Sequence, residues 1–328
     1  MSDADLVLEG GGVKGIALVG AISVLMERGY EFKRVAGTSA GSIVGALVAA
    51  GLTRDELVST VTAIDYLKFQ DGPAWDRIAV GKMFELVGAH GVYHGSYLRS
   101  WLGDQLAAHG VRTFADLRYV DANLPLSPER AFRLVVNVSD ITAGDLRQLP
   151  WDYKEHYERD PAVELVVDAV RCSMSIPFFY QPVVMTDGAG LKHWIVDGGV
   201  LSNFPIDLFD SPPGTHPRWP TFGIKLSSKP DAVQQSVSTQ VHGVASMSMA
   251  LLHTMTGFYD RMHISDPSVV DRTIFIDTGH VKSTDFDLPT SVRDELFANG
   301  RAAATTFLDG GPGQPAWDWE KYQQTYRT

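Results

Sequence analysis

The feature that most constrains this chain is the alternation of its first fifty residues. An apolar run, Asp5–Leu8, gives way to a glycine cluster and then to the helical stretch Gly15–Arg28. A second short run, Arg34–Ala36, leads through another glycine-flanked turn into a second helical stretch, Ser42–Ala50, closed by Gly51. Short apolar runs between turn signals predict buried strands, and the longer periodic stretches predict helices. Strand-helix-strand-helix at this spacing is a crossover pattern, so the strands are expected to lie parallel in an α/β sheet. Further strands are expected at Phe132–Val138, His193–Val196, Thr221–Leu226 and Thr273–Ile276, which spreads the sheet over the whole chain. No repeat, heptad run or linker-like block interrupts it. One domain over residues 1–328 is therefore expected, since single α/β folds reach this length.

Three glycine-marked turns carry chemistry. The first, Gly10-Gly11-Gly12-Val13-Lys14-Gly15, follows a strand and opens a helix. Glycines there leave backbone N–H groups bare toward an anion at a helix N-terminus. The spacing also matches a dinucleotide loop, but that site needs an acid at the end of the second strand. Here the strand ends in Gly37, and Glu31 lies before it. A phosphate-binding P-loop would need Ser or Thr after Lys14, where Gly15 stands.

The second turn, Gly37-Thr38-Ser39-Ala40-Gly41, is a G-x-S-x-G elbow between a strand and a helix, the context in which a serine becomes a nucleophile. Such a serine needs a base. A histidine triad fits poorly, because only one strand precedes the elbow strand and the ten histidines are scattered. The third turn, Asp197-Gly198-Gly199, ends the strand carrying His193. Four residues of extended chain put His193 about 13 Å from Asp197. An Asp at a strand end, with glycines giving room for another group to approach, can accept a hydrogen bond from Ser39 Oγ.

The three turns, in this order and separation, resemble the patatin-like phospholipase family, whose pattern is G-G-G-x-[RK]-G, G-x-S-x-G and D-G-[GA]. The resemblance extends to Val200-Leu201-Ser202-Asn203-Phe204-Pro205, to Ser173-Met174-Ser175-Ile176-Pro177-Phe178-Phe179, and to Asn137-Val138-Ser139-Asp140-Ile141. It covers residues 6 to about 210. It implies a three-layer α/β/α fold with a mostly parallel central sheet, Ser39 as nucleophile and Asp197 as base. It also implies an oxyanion hole from the amides of Gly10, Gly11 and Gly12, with Ala40 N–H as an addition. Lys14, Gly15, Gly37, Gly41, Gly198, Gly199 and Asn203 would support these turns. The implied activity is carboxylic ester hydrolysis of the phospholipase A or lysophospholipase type, through an acyl-enzyme and without metal or cofactor. Transacylation, or a regulated signalling or scaffold module on the same fold, are the alternatives.

Charge narrows the partners. A net charge of −11 with no basic cluster argues against nucleic acid and against anionic bilayers, so a lipid ester would be met through apolar contacts or a local patch. No run of about 18 apolar residues is present and the N-terminus is acidic, so no transmembrane segment is expected. The cytoplasm is the expected location, with peripheral contact to a membrane left open. The single cysteine, Cys172, is expected to be a small buried residue. Residues of about 53–117 read as a helical, cap-like insert. Within it Tyr97, Leu98, Trp101, Leu102 and Leu106 share a face of a helix near Ser96–Ala108. Trp317 and Trp319 lie in a Gly/Pro-rich C-terminal stretch that is either docked or frayed.

Overall fold

The computed structural model describes residues 2–72, 93–124, 126–212, 215–227 and 266–327. The opening alternation forms β1 (Ser2–Leu8), helix α1 (Gly15–Glu27), β2 (Tyr30–Thr38) and helix α2 (Ala40–Ala49). Both helices are apolar all round: α1 is buried from Gly15 to Leu25 and α2 along its whole length. A helix without a polar face must be covered on all sides. Helix α1 accordingly sits between neighbouring helices, packed against the long helix Thr290–Asp309 and against Arg54–Thr62.

Among the described residues eight strands form one sheet. The remaining six are β3 (Leu134–Asp140), β4 (Asp145–Leu149), β5 (Val183–Thr186), β6 (Lys192–Asp197), β7 (Thr221–Lys225) and β8 (Thr273–Phe275). The order is β5-β6-β3-β2-β1-β7-β8, with β4 pairing onto β3. From β3 to β8 the neighbours are parallel. At the other end β6 and β4 both run antiparallel to β3, and β5 antiparallel to β6. Strands β2, β3, β6, β7 and β8 coincide with the expected runs to within a few residues. Glu31 falls inside β2 and not ahead of it, still at the end remote from the elbow. Strands β4 and β5 have no counterpart among the expected runs.

The insert supplies helix α3 (Arg54–Thr62), a 3-10 turn Tyr66–Phe69 and helix α4 (Ser96–Ala108); residues 73–92 of it lie outside the described residues. Thr53 and Glu56 close a capping box that starts α3. In α4, Leu98, Leu102 and Leu106 are buried, and Tyr97 and Trp101 pack their rings against Phe69, at 5.6 and 6.0 Å. Cys172 is buried, and burial pushes its thiol up to about 12. The C-terminal stretch is docked. Trp317 stacks on Phe307 at 5.3 Å and meets Phe222 edge-on at 5.2 Å, while Tyr322 Oη donates to the Ser268 carbonyl at 3.0 Å.

Candidate active site

The elbow forms where β2 passes into α2. Ser39 is the N-cap of α2 with φ 52° and ψ −125°, a conformation unfavourable for a side-chain-bearing residue. Hydrogen bonds hold it there. Ser39 N–H donates to Ser173 Oγ at 2.8 Å, and Ser173 Oγ donates to the Asn137 carbonyl at 2.7 Å. On the other side, the Ser39 carbonyl accepts from Ser42 N at 2.8 Å and Ser42 Oγ at 2.6 Å. The Ser39 hydroxyl lies 3.6 Å from Met174 Sδ. Gly37 and Gly41 meet within the turn, and Gly15 packs on Ala40.

The glycine loop lies against this elbow. A Cβ on Gly10 would fall 3.0 Å from Ser39 Cβ and 2.3 Å from Asn203 Oδ1, so only glycine lets the loop come so close. Gly12 has φ 56°, and a Cβ there would sit 1.9 Å from the Ser283 carbonyl oxygen. Asn203 clamps the loop: its Nδ2 donates to the Gly10 carbonyl at 3.0 Å, and its carbonyl faces Gly10 N at 3.4 Å. Among the described residues no acceptor takes the N–H of Gly11, Gly12 or Ala40. The N–H of Gly10, turned to the Asn203 carbonyl, differs in this from those three. Below the loop Glu9 pairs with Lys225, both buried. Burial lowers the Lys14 pKa, Glu9 opposes that shift and Lys225 adds to it. Lys14 thus belongs to the charge cluster beneath the loop.

Asp197 arrives from the antiparallel side. It ends β6 opposite Val138 of β3, and its N–H donates to the Ser175 carbonyl at 3.0 Å. Gly199 N–H donates to its Oδ1 at 2.8 Å. A Cβ on Gly198 would strike the Asn137 carbonyl, so β3 and the Asp197 turn also close tightly. Burial pushes the Asp197 carboxyl up from its ordinary 3.8 to about 6, against hydrogen bonding from the Ser39 hydroxyl and Gly199 N–H. A hydroxyl beside a buried carboxylate of that basicity, with open amides across from it, has the parts needed for acyl transfer.

His193 is engaged elsewhere. Its Nδ1 lies 2.7 Å from Asp140 Oδ2 and its Nε2 3.4 Å from Asp187 Oδ2, with Tyr157 Oη donating to Asp140 at 3.0 Å. Two further neighbours of Ser39, Ser173 and Met174, emerge only from the structure. The segment that carries them stands out in sequence, but nothing there gives either one a task. An apolar pocket adjoins the elbow, bounded by Gly12, Gly15, Ala40 and Met174. Val61, Ile64, Tyr66 and Phe69 of the insert and Phe286 also line it.

The chain belongs to the patatin-like phospholipase family, whose model matches residues 6–210. It has that family's three-layer α/β/α fold with a mostly parallel central sheet. It is 35% identical to protein YqhO of Bacillus subtilis over 307 residues, 93% of this chain and 97% of that one. It is 25% identical to lysophospholipase NTE1 of Eremothecium gossypii, over 61% of this chain and 11% of that one. Among solved structures it resembles VipD of Legionella pneumophila with a TM-score of 0.51 at 17% identity, covering 92% of this chain and 66% of that one. Family membership supports lipid hydrolysis as the general activity, and among the described residues no helix is long and apolar enough to cross a membrane.

Proposed function

We propose that the protein hydrolyses fatty-acyl esters of phospholipids or lysophospholipids, with Ser39 as nucleophile and Asp197 as the side-chain base. The observation that carries this reading is the buried Asp197 carboxyl beside the strained Ser39, with its pKa near 6, while His193 is tied to Asp140. Ser39 Oγ attacks the ester carbonyl as its proton passes to Asp197. The oxyanion is received by the N–H groups of Gly11, Gly12 and Ala40, donors worth on the order of 3 kcal/mol each in such sites. Asp197 returns the proton to the departing alcohol or lysolipid. Water then attacks the acyl-enzyme, again giving a proton to Asp197, and Ser39 leaves with it as the fatty acid is released. The lining beside Ala40 is apolar, as an acyl chain requires, with the insert supplying one wall and so acting as the cap. The lysolipid NTE1 is named for fits the same chemistry.

The test is mass spectrometry of products from a mixed phospholipid, lysolipid and triacylglycerol panel. Fatty acid release by the native protein and its loss in Ser39→Ala are expected. Release that survives in Ser39→Ala would sink the assignment.

A further inference from the structure

Strand β6 alternates until it reaches the site: Lys192 and Trp194 face solvent, His193 and Ile195 the interior. Directly opposed residues on neighbouring strands share a face. Trp194 is paired with Val184 on β5, and on its other side Ile141 N–H donates to the Trp194 carbonyl at 3.0 Å, one residue beyond the Asp140–Ile195 pair. Val184, Trp194 and Ile141 therefore form a cross-strand row on one face, and all three are exposed, at 43%, 37% and 53%. Leu191, in the turn that joins β5 to β6, is a further exposed apolar residue of this hairpin, at 55%.

The register fixes where this row stands. Thr38 pairs with Asn137 and Asp197 with the next residue, Val138, so Ser39 and Asp197 meet at one level of β3. Ile141 lies three residues further along β3 and Trp194 three residues back along the antiparallel β6. Both steps lead the same way, about 10 Å beyond the site on the end of the sheet where the elbow opens. The turn Ile141-Thr142-Ala143-Gly144 contains no charged residue in a chain of net charge −11. In the β5–β6 turn the one charge, Asp187, accepts from Leu191 N–H at 2.8 Å and lies 3.4 Å from His193 Nε2, which leaves Lys192 as the charged side chain on the row's own face.

We infer that Ile141, Val184, Leu191 and Trp194 form the strip by which this protein seats itself on an uncharged or zwitterionic lipid surface. The inference rests on the lipid-ester reading above. A depth of several ångströms, normal for apolar side chains at a headgroup boundary, brings the site close to the plane from which a lipid ester must enter. A second copy of this chain is the weaker occupant. Four partly exposed side chains offer a few hundred Å² at most, against roughly 800 Å² per partner in a stable interface. The β5 edge, at four residues, is also short for sheet extension.

The test uses phosphatidylcholine vesicles and the full chain. Binding is measured by co-sedimentation in a Ser39→Ala background, and hydrolysis in the native background on vesicles and on dissolved p-nitrophenyl butyrate. Ile141→Ser with Leu191→Ser is expected to lower vesicle binding and vesicle hydrolysis about tenfold, with butyrate hydrolysis within about twofold of native. Leu191→Asp, confined to the turn, keeps the test open should the double variant misfold, and is expected to act in the same direction. Undiminished vesicle binding in both variants would overturn the strip, as would a native protein that does not sediment with vesicles. A native dimer that the variants dissociate, with vesicle binding unaltered, would give the strip to a second copy instead. Vesicle binding that needs the strip, in a native protein inert on every ester, would uphold the docking surface and sink the hydrolase.

Discussion

The parallel part of the sheet and its antiparallel part are covered differently. Strand β1 from Ala4 onward, the second half of β2 and all of β7 are buried without alternation. In β4, β5 and the outer half of β6, exposed residues alternate or mix with buried ones, because solvent lies on one face. The elbow and the glycine loop grow from the first part. Asp197 comes from the second, at the point where β6 stops alternating and becomes buried. Rigidity is thus concentrated where Ser39 and the glycine loop sit, and the Asp197 carboxyl is carried on a strand whose far end meets water.

The comparison is tested most severely by removing one group from each part. Ser39→Ala and Asp197→Asn are each expected to cut ester turnover about a thousandfold or more without loss of fold, because an amide cannot take the serine proton. Steady-state kinetics with circular dichroism checks both. His193→Ala is expected to stay within about tenfold of native, and a loss matching Ser39→Ala would transfer the base from Asp197 to a histidine.

The pH dependence is the next effect in size. With Asp197 at about 6, kcat should rise as pH passes from 5 to 7 and then level, since the ionised carboxyl is the base. Stability runs the other way. A carboxyl whose pKa is higher in the folded chain than its ordinary 3.8 favours folding in its protonated form, and that contribution is lost as pH rises through about 6. The buried charge then costs on the order of 3 kcal/mol, which Asp197→Asn would relieve. Its melting temperature should exceed the native value at pH 8 and lose that advantage at pH 4. Equal melting curves at pH 8 would show the carboxylate to be better solvated than its burial implies.

Smaller effects separate the glycines. Gly12→Ala meets a backbone carbonyl and an unfavourable φ, so a loss of about 1–3 kcal/mol in stability is expected along with activity. Gly11→Ala meets only the end of the Leu226 side chain, at 2.3 Å, which can swing away. Its fold should persist while kcat falls more than KM changes, the mark of donors used in the transition state. A change confined to KM would assign Gly11 to substrate binding.

How much was readable in sequence follows the same division. Ser39, Asp197 and the glycines were visible because turn chemistry is local: three short segments name their own conformations. Strands β1, β2, β3, β6, β7 and β8 were visible as apolar runs. Strand β4, Asp145-Leu146-Arg147-Gln148-Leu149, carries too few apolar residues to announce itself, and β5 is four residues long, so both are defined by pairing partners distant in the chain. Ser173 and Trp317 were illegible for the same reason. One is defined by Ser39 and Asn137, the other by Phe222 and Phe307. The occupied N–H of Gly10 depends on Asn203, nearly two hundred residues on.

Because Asp197 rides on an antiparallel strand, the position of its carboxylate is a matter of ladder alignment. Side chains on a strand alternate faces, so a one-residue slip of β6 along β3 would turn Asp197 away and present a neighbour without a carboxylate to Ser39. Most of the core would still be filled. Four residue pairs with β5, three with β3 and the Asp197 amide on the Ser175 carbonyl oppose such a slip. On the proposed mechanism the short outer hairpin therefore acts as a proofreader of assembly, separating a working hydrolase from a well-folded protein in which nothing activates Ser39.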